Sequence, residues 1–133
     1  MEKIKELNLE KYIVITDYVP DDEMVLLYNG AFFLFFPSFW EGFGLQVLEA
    51  FACGLPVITS NNTSLKEVAG EGAYFIDPFS VEDMVKGMSE VERSAAKRRA
   101  LVLKGKKQLQ LYSWKDAAVK TLNVYREVVY GGG

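Results

Sequence analysis

The sequence predicts an α/β fold, a parallel sheet of about four strands with helices on both faces. Three observations carry this. Residues 31–36 form an unbroken apolar run, too short to cross a bilayer and too uniformly apolar for a half-exposed strand, which fits a parallel strand covered on both faces. A loop broken by Gly42 and Gly44 follows, then a helix of about nine residues from Leu45, a stop at Gly54, and an apolar strand at Val57, Ile58 and Thr59. A further strand at Ala73, Tyr74, Phe75 and Ile76 continues the alternation. In open α/β sheets the ligand sits beyond the carboxyl ends of the strands, so residues 37–44 occupy the expected site.

In chain order, residues 1–9 set Ile4, Leu7 and Leu9 among charges, as in a short amphipathic helix. Tyr12, Ile13, Val14, Ile15 and Thr16 read as a β-branched strand. A loop at Asp17, Tyr18 and Val19 leads to Pro20 and three acidic residues, Asp21, Asp22 and Glu23, which open a helix running through Tyr28. After the Val57 strand, residues 60–64 are a polar loop, and Ser64 and Glu67 have the spacing of a capping box ahead of a short helix. From Val81 the period becomes helical, with Val81, Met84, Val85 and Met88 on one face and Ser80 as cap. Residues 90–110 form a charged helical stretch whose basic residues read as a solvated surface, although a basic face can also dock on anionic lipid. Ser113 and Trp114 start a final helix in which Ala117, Ala118, Thr121, Leu122, Val124 and Tyr125 supply a packing face. Residues 1–130 make one domain, and Gly131, Gly132 and Gly133 read as a tail outside it.

Composition narrows the function. At 133 residues, half of them apolar and a quarter charged, the chain is globular, with a single core. A net charge of −3 and a pI near 5.0 argue against a nucleic-acid partner. There is no histidine, which excludes imidazole catalysis and histidine-ligated metals from this polypeptide. Cys53 is alone and reads as a small buried filler. With no signal peptide or spanning segment, the expected setting is reducing and cytoplasmic.

The chemistry follows from the loop. Gly42 and Gly44 let the backbone approach a ligand, and the free N–H groups at the start of the Leu45 helix suit a phosphate. Glu41 enters from the loop, and Glu49 lies roughly 40° from Leu45 on a helical wheel, at the edge of the buried stripe. Two carboxylates beside an anion site suit a ligand that combines phosphates with vicinal hydroxyls, because a carboxylate accepts two hydrogen bonds from a diol. The plainer reading makes Glu41 a helix-dipole partner and Glu49 a solvated position.

Glu41, Gly42, Phe43, Gly44 and Leu45, then Leu48, Glu49 and Ala50, then Gly54, Leu55, Pro56, Val57 and Ile58, resemble the E-x7-E signature of retaining glycosyltransferases of the GT-B group. That is the glycosyltransferase group 1 family, which includes glycogen and sucrose synthases and many bacterial mannosyl- and glucosyltransferases. The resemblance runs over residues 13–78 and picks up at Tyr112, Ser113 and Trp114. It implies the Rossmann-like carboxy-terminal, donor-binding domain of such an enzyme, truncated at its amino-terminal side, transferring a hexose from a nucleotide-diphospho-sugar. It assigns Glu41 to the donor-sugar hydroxyls as the catalytic-site residue, Glu49 to the ribose diol, and the backbone of Gly42, Phe43, Gly44 and Leu45 to the diphosphate or sugar. Tyr18 and Val19 would pack on the base, where relatives usually have Gly in place of Asp17. The Thr59 strand end and the loop after it would lie beside the donor sugar. No metal or other cofactor is implied.

The resemblance also implies what is missing. A complete domain has six strands, and its first two units carry the basic residues that neutralise the leaving diphosphate; the acceptor-binding amino-terminal domain is absent too. Loss of the basic clamp removes a large stabilising term, so the isolated chain is expected to be inactive. In the order 3-2-1-4-5-6, removal of strands one and two leaves the Ile13 strand to pair with the residue 31–36 strand or to exchange with a second copy, so a homo-oligomer through an exposed sheet edge is one consequence. Membrane association of a full-length protein stays open. The competing readings are a Rossmann-like fragment that self-associates and binds no donor, and a sugar-nucleotide epimerase of the same architecture.

Overall fold

The computed structural model describes residues 2–130, so the expected glycine tail lies outside the described residues. The elements are α1 (Glu2–Glu6), α2 (Asp21–Gly30), β1 (Leu34–Phe36), α3 (Leu45–Ala52), β2 (Val57–Ser60), α4 (Thr63–Ala69), β3 (Ala73–Ile76), α5 (Val81–Arg93), α6 (Ala95–Leu109) and α7 (Trp114–Tyr130). Among the described residues the sheet has three strands in the order β1-β2-β3, all parallel, with Leu34 opposite Val57 and Val57 opposite Ala73. The α/β class, the parallel pairing and the helices on both faces are as the sequence indicates.

The strand count differs by one, and the reason is pairing. Residues 12–16 have no regular structure and are exposed, Tyr12 at 78% and Val14 at 85%. A strand exists only through a ladder that satisfies its N–H and C=O groups, and this segment has no neighbour. The expected pairing with β1 is not formed. β1 is shortened for the same reason: it starts at Leu34, whose N–H reaches the Pro56 carbonyl at 2.9 Å, while residues 31–33 face no partner. Double-sided cover, expected for residues 31–36, belongs instead to β2. All four β2 residues are buried, whereas β1, with one open edge, is half-buried throughout.

The period of two along the strands sorts the core into two layers. Leu34, Phe36, Val57 and Phe75 pack with Val47 and Phe51 of α3 and with Leu65 and Val68 of α4. Phe35, Ile58, Tyr74 and Ile76 face Met84, Met88 and Val91 of α5 and Leu101 of α6. α6 then crosses the amino ends of the strands, close against residues 54–56 and 70–72. Gly105 makes this approach possible, since a Cβ there would lie 2.6 Å from the Phe51 ring.

The cap signals fare unevenly. Ser80 accepts from the Asp83 N–H at 3.2 Å as expected. The basic stretch is broken by Ser94, which caps α6 by accepting from the Lys97 N–H. The capping box is not formed: α4 begins at Thr63, and the Ser64 hydroxyl, already inside the helix, donates to the Glu41 carbonyl. α7 has no buried residue, so its expected packing face is not covered among the described residues. No described helix is long and apolar enough to cross a membrane.

Candidate functional site

The loops that leave the three strands are joined into one rim at the carboxyl end of the sheet. The Asn62 amide donates to the Phe39 carbonyl at 2.9 Å, and the Ser64 hydroxyl to the Glu41 carbonyl at 2.9 Å, tying the loop after β2 to the loop after β1. Phe39 and Phe79 meet with ring centroids 4.9 Å apart, which ties in the loop after β3. Glu41 is thereby fixed at its backbone, with its side chain half-buried at the rim.

Gly44 heads α3 with φ +99°, a left-handed conformation that L-residues rarely adopt, and a Cβ there would meet Leu65 Cδ2 at 2.6 Å. No side chain caps the helix start, so the Leu45 and Gln46 N–H groups remain available beside it. Gly42 faces open space, and Phe43 is held edge-on by Tyr112 with centroids 5.8 Å apart.

Glu49 is exposed, and its Oε2 accepts a 2.9 Å hydrogen bond from the Tyr28 hydroxyl. Tyr28 is 9% exposed and is the buried residue of α2. Burial first, then the bond and the charge of Glu49, push its ionisation well above the ordinary tyrosine range, so it stays a donor at neutral pH. Glu41 and Glu49 thus belong to the same loop and helix but hold different fixed partners.

The other expected residues divide. Tyr18 is 85% exposed and packs on nothing, while Val19 is half-buried. Asp17 has φ +51°, the backbone state that glycine takes freely, which accounts physically for the glycine that the resemblance puts there. Thr59 is fully buried and its hydroxyl donates to the Phe36 carbonyl at 2.9 Å, so it locks β1 to β2 and presents no surface to a ligand.

Three side chains lie in the polar loop that the resemblance puts beside the donor sugar. Ser60 Oγ, Asn62 Oδ1 and Thr63 Oγ1 are buried and make no hydrogen bond within the protein. Each such group costs roughly 1–3 kcal/mol when it is left without a partner. Thr63 adds strain, with φ +49° on a β-branched residue. Thr63→Gly is therefore expected to raise stability in urea unfolding by about 1 kcal/mol, the relief of that strain less the added freedom of the unfolded chain. An unchanged or lower unfolding midpoint would show that the strain is not real.

Basic residues lie elsewhere. Segments 37–44, 60–64 and 77–80 contain no Lys or Arg. A hollow of about 460 Å³ at the opposite, amino end of the sheet is lined by Ala31, Phe32, Pro56, Arg98 and Arg99 among others. There Arg98 lies over the Phe32 ring, 4.1 Å from its centroid, and donates to the Val91 and Glu92 carbonyls at the end of α5.

Residues 1–108 match the family described as glycosyl transferases group 1. The chain is 37% identical to O-antigen chain mannosyltransferase B of Escherichia coli over 117 residues, which is 88% of this chain and 31% of that protein. It is 28% identical to the MMP alpha-(1->4)-mannosyltransferase of Mycolicibacterium hassiacum over 130 residues, covering 95% of this chain and 32% of that one. Sucrose-phosphate synthase from Thermosynechococcus elongatus superposes with a TM-score of 0.89 at 25% identity, over 98% of this chain and 34% of its own. The chain spans about a third of the length of each of these three proteins.

Proposed function

Because the chain belongs to the glycosyl transferases group 1 family, we propose that it is the nucleotide-sugar-binding part of a retaining hexosyltransferase. The observation that carries this reading is the rim itself: a left-handed Gly44 with uncapped N–H groups behind it and Glu41 pinned at the same loop.

In this reading the Leu45 and Gln46 N–H groups face the diphosphate, Glu41 meets sugar hydroxyls, and Glu49 holds the ribose diol. The Asp17, Tyr18 and Val19 segment would approach the base. The mannosyltransferase relatives make mannose a natural first sugar to test. No metal is required, since amide dipoles face the phosphates.

Glycosyl transfer builds positive charge on the sugar and negative charge on the departing diphosphate. The rim segments supply carboxylates but no cation, so only amide dipoles of this chain answer the negative half of that charge separation. The isolated chain is expected to release sugar from GDP-mannose or UDP-glucose no faster than buffer, measured by coupled nucleotide release. Turnover by the chain alone would overturn that expectation.

Calorimetric titration with UDP, GDP and ADP sugars tests the binding reading, which requires saturable affinity for at least one. The open edge of β1 and the uncovered α7 favour a second reading, a fragment that self-associates and takes no donor. That reading predicts concentration-dependent mass in sedimentation and no heat with any nucleotide.

A further inference from the structure

We propose that Tyr28 is a positioning residue for the donor site, holding the Glu49 carboxylate in the orientation that meets the ribose; the inference rests on the role given to Glu49 above. Tyr28 and Glu49 are 21 positions apart, on different helices, and meet at 2.9 Å. The Tyr28 ring is 9% exposed and packs in the core layer that holds Leu48 and Phe51, so the hydroxyl is delivered from a rigid base.

Glu49 needs such a hold. Its side chain is exposed and has three rotatable bonds, so an untethered carboxylate would sample many positions and lose that freedom on binding a ligand. A carboxylate offers about four acceptor positions. The Tyr28 hydroxyl takes one on Oε2, fixing the carboxylate plane and leaving Oε1 and the remaining capacity of Oε2 for a pair of vicinal hydroxyls. Burial and the Glu49 charge keep the phenol protonated, so the hold persists across the neutral range. α2 begins at Asp21, directly after the segment expected at the base, so a single helix links that segment to the ribose carboxylate.

A purely structural tie between α2 and α3 would explain the same hydrogen bond, and the two differ in what they do to ligand choice. The test titrates the wild-type chain and Tyr28→Phe with UDP, GDP and ADP and with their 2′,3′-dideoxy counterparts, alongside thermal unfolding. Wild type should prefer the ribose form. Tyr28→Phe, which keeps the ring, should lose about 3- to 10-fold in affinity for the ribose form and nothing for the dideoxy form, as expected for one charge-assisted hydrogen bond acting through orientation. In a Glu49→Ala background, Tyr28→Phe should change affinity no further.

A Tyr28→Phe chain that unfolds earlier yet keeps the full ribose preference overturns the positioning role and leaves the donor-binding reading standing. A wild-type chain that binds both forms equally, or binds neither, overturns the role of Glu49 itself and the positioning role with it. If Tyr28→Phe does not fold, Glu49→Asp takes its place. Its shorter stem withdraws the carboxylate from the Tyr28 hydroxyl, and an intact ribose preference there overturns the proposal.

Discussion

Glu49→Ala is expected to lower nucleotide affinity in calorimetric titration and stability at the same time, whereas Glu49→Gln should separate the two. In the folded chain the Glu49 carboxylate accepts from the Tyr28 hydroxyl at 2.9 Å, so truncation leaves a largely buried phenol without a partner. That loss is worth roughly 1–3 kcal/mol in urea unfolding. Binding loses the charge-assisted bonds to the ribose diol, of order 1.5–3 kcal/mol, or about 10- to 100-fold in affinity. In Glu49→Gln the amide oxygen still accepts from Tyr28, so stability stays near wild type, but one amide oxygen replaces two charged acceptors and affinity falls nearly as far. A Glu49→Ala chain that binds donor normally would remove the ribose role altogether.

Phe51→Ala is expected to be the most damaging core substitution, costing about 3–5 kcal/mol in equilibrium unfolding. Phe51 is 2% exposed on α3, and its ring is the surface against which α6 closes at Gly105. The backbone at Gly105 and Gly72 is already in close approach there, so the structure cannot collapse into the space without moving α6 as a whole. A small domain is marginally stable, and a loss of this size leaves a substantial unfolded fraction at room temperature. A midpoint shift corresponding to less than about 1 kcal/mol would show that α6 is not seated as described.

The central block was legible because its signals are local and redundant. Two glycines with different duties, an apolar run before them and an amphipathic helix after them fix the order strand, loop, helix and strand without reference to the rest of the chain. β2, α3, β3, the Pro20 start of α2 and the Ser80 cap all follow from such signals. What was not legible depends on partners distant in sequence. Residues 12–16 have the composition of a strand but no strand to ladder with, so they stay irregular and exposed. β1 has a strand sequence three residues longer than its ladder, because β2 offers a partner only from Val57 onward. Ser64 has capping-box spacing, but the Glu41 carbonyl 23 positions away claims its hydroxyl. α7 carries a packing face that stays unburied among the described residues.

At the site the same division holds. Glu41, Gly42, Gly44 and Glu49 were visible as a spacing, and the structure places them in one loop and helix at the carboxyl rim. Tyr28 was invisible, since nothing local to α2 distinguishes a tyrosine that reaches Glu49 from one that simply fills core. Thr59 was misread in the other direction: a strand-end hydroxyl facing the ligand side looks available until the Phe36 carbonyl is found 2.9 Å away. The strain at Thr63 and the unpartnered Ser60 and Asn62 groups are three-dimensional facts with no sequence signature beyond a polar loop.

Where on the molecule a diphosphate sits tests the account most directly, because the chain offers two chemically different places, an amide-lined rim and an arginine-lined hollow at the other end of the sheet. Amide chemical-shift mapping of the ¹⁵N-labelled chain during titration with GDP and UDP distinguishes them. The account predicts saturable shifts centred on Gly42, Gly44, Leu45, Gln46 and Glu49. Shifts centred instead on Ala31, Arg98 and Arg99, or none at saturating nucleotide, would contradict it.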